Sequence, residues 1–397
     1  MRVLHVIPSL APSSGGPSLA LPAMAKALHA AGVEVEVATT DDDGPGTRIK
    51  DCPLGVAVQH SGMTVRFFPK QSEFYKRSYP LTHWLWKHVR DYSLVHIHAL
   101  FSYSSTLAAL AARARAVPYV IRPLGVLNQY GMNRRRKFIK ALSFRLIEKD
   151  LLRDAAAIHY TSTEERDEAA RLGLTAPARV IPLGVDLPPW GKPRDGKIFL
   201  REFPALEGRQ FILFMSRLDP KKGVEFLLEV MARLQNLDPG VMVAVGGAGP
   251  ASYVEGLKAE AVRLGVAERI VWTGHLEADL KYSAFAAATL FALPSLSENF
   301  GIALLEAMAS GLPCIASHQV ALAQEAGPKG AVLAVERDAA VWSSTIHLLL
   351  RDDSRRQALG QEAAKLSRNT YSLDAMGTAL KGLYEDILYP TVPSLHT

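Results

Sequence analysis

The feature that most constrains this chain is an alternation that runs through twice. Short, continuously apolar runs are separated by longer stretches with helical periodicity. In the first half the strand-like runs are Val3–Ile7, Val33–Thr39, Thr64–Phe68, Leu94–His98, Tyr119–Arg122, Ala157–Thr161 and Arg179–Ile181, with helical stretches such as Ser18–Ala31 and Tyr103–Ala116 among them. The second half restarts with Phe211–Met215, Val241–Val245, Ile270–Trp272, Leu290–Leu293, Pro313–Ala316 and Ala331–Val335. Helical patterns there fit Val224–Gln235, Tyr253–Leu264, Asp279–Ala287, Ile302–Ser310 and Ala339–Leu350. Strands without an exposed face, spaced by helices, predict a parallel sheet covered on both sides. The Pro/Gly-rich stretch from Pro182 to Pro193 reads as the linker, near residues 183–193. The expected architecture is therefore α/β, with two doubly wound domains over residues 1–186 and 187–372. Ligands of open parallel sheets bind beyond the carboxyl ends of the strands, so a central cleft between two such domains is the expected site.

Composition narrows the class. With 397 residues, 48% apolar and 21% charged, the chain is neither a disordered, collagen-like nor disulfide-stapled sequence. Two distant cysteines, Cys52 and Cys314, fit a reducing cytoplasm. No run approaches the ~20 apolar residues needed to span a bilayer, and the apolar start Met1–Pro8 reads as a buried first strand rather than a signal segment. The net charge of +6 is uneven: residues 1–188 hold 24 Lys and Arg against 16 Asp and Glu, the remainder 21 against 23. A positive half suits an anionic membrane face or an acidic substrate, or is a solvated basic surface.

The loops after the strands carry the candidate chemistry. Gly15-Gly16 follows the first strand and precedes a helix, where free N–H groups suit a phosphate or a sugar. Ser216–Gly223 places Arg217 and Lys222 before another helix, two cations able to neutralise a diphosphate without metal. The turn Val245–Pro250, with Gly247 and Gly249, lets a flat base approach the backbone. In Ser295–Pro313, Glu298 lies in a loop and Glu306 in an apolar helix that starts near Gly301. A carboxylate there is costly unless it is paired or bonded to ligand hydroxyls, and the Asn299-Phe300-Gly301 backbone offers donors at the helix start. Of the two histidines in Val95–His98, strand alternation is expected to turn one inward, and the strand end favours His98. Asp41 and Asp43 form a D-x-D pattern that could hold Mg²⁺, though a solvated acidic loop is the better reading. Arg134–Arg153 carries eight cations and two acids around apolar positions 138, 139, 142 and 146. This pattern fits either a helix on an anionic membrane or a core-packed helix with a basic outer face.

Together these loops resemble those of the retaining glycosyltransferases of family 4, with the GT-B fold of two Rossmann-like domains. The likeness spans essentially the whole chain. Its most specific part is the E-x7-E segment from Glu298 to Glu306 in the setting Ser297-Glu298-Asn299-Phe300-Gly301. The resemblance implies that the second domain holds a nucleotide-diphosphate sugar, a UDP- or GDP-sugar, with no metal or other cofactor. Glu306 would bind the ribose, Arg217 and Lys222 the diphosphate, and Glu298 the sugar hydroxyls beside Asn299, Phe300 and Gly301. Gly16 would approach the phosphate or sugar, His98 would sit near the transferred sugar, and Arg122 would face the acceptor. The last helix, near Leu373–Leu388 within residues 373–397, would return to the first domain. The implied function is transfer of a hexose to a carbohydrate or lipid-linked acceptor in exopolysaccharide, lipopolysaccharide or glycolipid synthesis, with no nucleic-acid partner. A nucleotide-sugar epimerase of the same fold, or a non-catalytic sugar-nucleotide binder, is the alternative. The expected location is the cytoplasm, or the inner membrane face if the basic helix docks there.

Overall fold

The computed structural model describes residues 1–11, 15–127, 141–186 and 195–390. The chain divides into two compact units, one of Met1–Gly184 with the segment from Ser372 onward, the other of Val185–Tyr371.

The first unit begins β1 (Arg2–Ser9), α1 (Gly16–Ala30), β2 (Glu34–Thr40), β3 (Ala57–His60) and β4 (Met63–Phe68). It continues with α2 (Tyr79–His88), β5 (Leu94–His98), α3 (Tyr103–Ala114), β6 (Tyr119–Arg122), α4 (Lys149–Arg153), β7 (Ala157–Tyr160), α5 (Thr163–Ala170) and β8 (Ala178–Val180). Its strands are ordered β3-β4-β2-β1-β5-β6-β7-β8. All pairs are parallel except β3 with β4. The β3 edge is polar and largely exposed, which is why apolar patterning passes over it.

The second unit holds α6 (Lys197–Glu202), β9 (Phe211–Met215), α7 (Val224–Leu234), β10 (Met242–Gly246), α8 (Ala251–Arg263), β11 (Ile270–Gly274) and α9 (Ala278–Ala287). Then follow β12 (Leu290–Leu293), α10 (Ile302–Ala309), β13 (Cys314–Ser317), α11 (Ala321–Ala326), β14 (Leu333–Val335), α12 (Ala339–Arg351) and α13 (Asp353–Thr370). Its strands run β11-β10-β9-β12-β13-β14, with parallel pairing throughout. The final helix α14 (Leu373–Leu388) belongs to the first unit and packs on α1. The approach is close enough that a Cβ at Gly377 would run into the Ala27 carbonyl.

The strand orders locate the chemistry. In the first unit the winding reverses between β1 and β5, in the second between β9 and β12. Such switch points open a crevice at the carboxyl ends of their strands. Burial there is complete: every residue of β5, β9 and β12 is buried.

One expectation is corrected at this level. Asp41 and Asp42 are not a solvated loop: they are 3% and 0% exposed. Lys70, itself 3% exposed, donates to Asp42 Oδ1 at 2.8 Å and to the Gly44 and Thr47 carbonyls, and Lys76 pairs with the other Asp42 oxygen. Burial alone would raise the Asp42 pKa. The hydrogen bonds from Lys70 and Lys76 outweigh it and hold the carboxyl below its usual range. The basic segment turns part of its apolar side outward. Residues 134–140 of it lie outside the described residues, but Leu142, Leu146 and Ile147 are exposed at 59%, 65% and 42%. Turned inward are Phe144 and Glu148, within a π-helical turn over Phe144–Glu148, and Leu151 and Leu152 just past it. The linker positions 187–193 and loop positions 12–14 also lie outside the described residues.

Candidate functional site

In the second unit, the loops after β9 and β12 meet at the switch point. The Leu296 amide donates to the Lys221 carbonyl at 2.8 Å, and Lys222 forms an ion pair with Glu298 across the two loops. Lys222 is nearly buried, and Arg217, five residues before it, is exposed. The Glu298 backbone is held by a bridge to the segment after β13: its N–H donates to the Gln319 carbonyl at 2.9 Å and its carbonyl accepts from Ala321. Phe300 is buried edge-on against Tyr371, with ring centroids 6.0 Å apart. Gly301 then turns the chain into α10 with φ of +104°, a conformation that an L side chain resists.

Both α7 and α10 begin at a glycine, Gly223 and Gly301, and among the described residues neither has a side chain bonded at its N-cap position. Their first N–H groups and positive dipole ends are therefore free for anionic oxygens beside Lys222. Glu306 sits in the second turn of α10 and pairs with Lys281 of α9 at 2.8 Å. Burial pulls the Lys281 pKa down, but the Glu306 charge and hydrogen bond prevail and raise it. Lys281 has no motif of its own. The signal for it was the cost of a carboxylate in so apolar a helix, which demands a cation from somewhere.

Gly247 and Gly249 serve packing directly. The Leu218 amide donates to the Ala248 carbonyl at 2.8 Å, and a Cβ on either glycine would collide with the Ser216 or Leu218 carbonyl. This backbone contact accounts for both glycines without a base lying against them.

In the first unit, Gly15 takes φ of +77° at the N-cap of α1 and has no side chain to cap the first turn. His98 and Arg122 end β5 and β6 and are register partners. His96 does not point away from His98. Residues two apart on a strand share a face, and their rings stack with centroids 4.5 Å apart. Both are fully buried, and His5 of β1 and His159 of β7 join them on the same side of the sheet. Single polar residues inside apolar strand runs were the signal for His5 and His159. Burial, and then Arg122, hold His5 and His159 near pKa about 3. Burial, with the neighbouring histidines and Arg122, puts His96 and His98 well below the usual histidine range.

Ring nitrogens of His5, His96 and His98 lie within 4.8 Å of one another. They do not make a cation site: each ring already bonds to another of the cluster, and the Arg122 guanidinium repels a metal ion. Arg122 is 2% exposed, its Nε has no hydrogen-bond partner among the described residues, and burial pushes it down to about 10.

The backbone is strained at the same strand ends. Ala99, Phe101 and Leu124 are left-handed at φ of +79°, +55° and +61°. Such conformations cost of order 1–3 kcal/mol each and cluster where a site needs them. Glu148 steadies this turn by accepting from the Phe101 amide at 3.1 Å, and burial pushes its carboxyl up to about 7.

Two Rossmann-like units, each a largely parallel sheet with one switch point, are the architecture of the GT-B class of α/β proteins. The family model for glycosyl transferases group 1 matches residues 197–366, and that for the glycosyl transferase 4-like domain matches residues 15–184. The chain belongs to the family 4 glycosyltransferases of GT-B fold. It is 31% identical over 254 residues to a D-inositol 3-phosphate glycosyltransferase of Corynebacterium efficiens, a match over 61% of this chain. The matched region spans 59% of that protein's length. A protein of the same name from Jonesia denitrificans is 25% identical over 97% of this chain and 95% of its own. An alpha-D-kanosaminyltransferase of Streptomyces kanamyceticus is 29% identical over 60% of this chain and 63% of its own. Among solved structures, sucrose-phosphate synthase from Thermosynechococcus elongatus shares the fold at TM-score 0.77 and 21% identity, over 98% of this chain and 100% of its own. HepE of Anabaena, solved in complex with UDP, shares it at TM-score 0.77 and 20% identity, over 96% and 99%.

Proposed function

We propose that this protein is a retaining, metal-independent hexosyltransferase that uses a nucleotide-diphosphate sugar. The observation that carries the reading is the Lys222–Glu298 pair at two uncapped helix N-termini on the β9/β12 switch point. Charge develops on the diphosphate as the anomeric bond breaks, and preorganised cations with helix dipoles lower that barrier. Glu298 is the counter-ion of Lys222. A bound diphosphate takes over Lys222 and frees Glu298 for sugar hydroxyls. Arg217 supplies the second cation, and Glu306, oriented by Lys281, binds the ribose hydroxyls. In the first unit His98 serves the transferred sugar and Arg122 the acceptor.

The names of the relatives support a glycosyl acceptor of carbohydrate, cyclitol or lipid-linked type. The test is release of free nucleotide from a panel of UDP-, GDP- and ADP-sugars, with EDTA present. We expect slow release from one donor, and a thermal shift with its nucleotide. Release from none, with no thermal shift, overturns the reading.

Exposed Leu142, Leu146 and Ile147, within a segment carrying eight cations, support peripheral binding to an anionic membrane. Sedimentation with anionic vesicles is expected at low salt and lost at high salt. Absence of binding at low salt overturns it.

A further inference from the structure

The buried histidines of the first unit form one hydrogen-bonded chain whose direction can be read. It starts at a carbonyl, which only accepts. His159 Nε2 lies 2.8 Å from the Ile181 carbonyl and must carry its ring's proton. His159 Nδ1 is then bare and accepts from His96 Nε2, 3.3 Å away. His96 Nδ1 in turn accepts from the Tyr384 hydroxyl at 2.7 Å. The Tyr384 oxygen accepts from His5 Nε2 at 3.4 Å, and His5 Nδ1 accepts from His98 Nε2 at 2.9 Å. Each ring is neutral, with one proton, because all four are fully buried beside the Arg122 guanidinium. Only one tautomer per ring satisfies every link. The last atom of the chain, His98 Nδ1, is left as a bare acceptor, buried and without a partner among the described residues.

We propose that His5, Tyr384, His96 and His159 are positioning residues that hold His98 as its Nε2-protonated tautomer, with Nδ1 kept as the acceptor for a substrate hydroxyl. The role given to His98 rests on the transferase reading above. The tautomer does not. Arg122, the register partner of His98 on β6, keeps a second orphan polar atom at its Nε, a donor. The chain also gives α14 a reason to be threaded back under this sheet: its Tyr384 is the only link among the described residues between the His98–His5 and His96–His159 pairs in this sequence of bonds.

The experiment uses the full chain with ¹⁵N-labelled histidine. Long-range ¹H–¹⁵N spectra report the tautomer, and the His98 signals are those lost in His98→Gln. We expect a pyrrole-type Nε2 and a pyridine-type Nδ1 for His98 in the native chain, unchanged between pH 5.5 and 8. Tyr384→Phe cuts the chain in the middle, so a second His98 tautomer should emerge and kcat fall about tenfold, the loss of roughly one hydrogen bond. His159→Asn keeps an acceptor oxygen toward His96 and should preserve both tautomer and rate, whereas His159→Leu should not. A His98 protonated on Nδ1 in the native chain, or one unchanged tautomer in both Tyr384→Phe and His159→Leu, overturns the proposal. If the tautomer is as expected but His98→Gln transfers sugar at the native rate, the relay stands and the role of His98 in transfer falls.

Discussion

Lys222→Ala should lower kcat/KM for the nucleotide sugar by about 10²–10³-fold, the usual loss when one preorganised charge donor leaves a transition state. Two effects combine. The diphosphate loses the cation that lies between two uncapped helix starts, and Glu298 loses its ion-pair partner. That carboxylate then confronts the incoming phosphate oxygens as a like charge. The double variant Lys222→Ala/Glu298→Gln should therefore bind nucleotide more tightly than Lys222→Ala alone, although it turns over no faster. Steady-state kinetics and calorimetric titration of the product nucleotide read the two effects separately. A Lys222→Ala enzyme within threefold of the native rate removes this loop pair from the mechanism.

Asp42→Ala should destabilise the first unit by about 3–5 kcal/mol, because it strands a buried ammonium. Lys70 is 3% exposed, and although it keeps the Gly44 and Thr47 carbonyls, its remaining carboxylate is on the exposed Glu73. A loss of that size corresponds to a fall in melting temperature of roughly 10 °C for a domain this large. The acid limb should change as well. Because the native carboxyl titrates below its unfolded value, its contribution is present above pH ~3.9 and is lost as pH falls below that. The variant should therefore show a flatter loss of stability on acidification. Chelator should leave both proteins' melting curves and activity unmoved, because Lys70 and Lys76 already hold Asp42 and Arg48 already faces Asp41. A melting point within 2–3 °C of native, or a chelator-sensitive native enzyme, contradicts this account of Asp41-Asp42-Asp43.

What could be read along the chain was what depends on neighbours in sequence. The strands Leu94–His98, Tyr119–Arg122, Phe211–Met215 and Leu290–Leu293 have their expected limits. An apolar run bounded by turn residues needs no distant information. The loops with Arg217, Lys222, Glu298 and Glu306 stood out for the same reason: helix starts and glycine turns are local features. The partners of those residues were not legible. Glu306 lies 25 residues from Lys281, Lys222 lies 76 from Glu298, and His96 lies 288 from Tyr384. Strand order and register bring each pair together, and a single sequence encodes those only through the whole fold. For the histidines the limit is shared. Period-two alternation already puts His96 and His98 on one face, against the expectation of a single inward ring, whereas His5 and His159 join them only through the sheet order β1-β5-β6-β7. Local periodicity thus suffices for the elements and the loop chemistry. Which charges are paired, and which nitrogen of His98 is left bare, follows from contacts that exist only once the sheets have assembled.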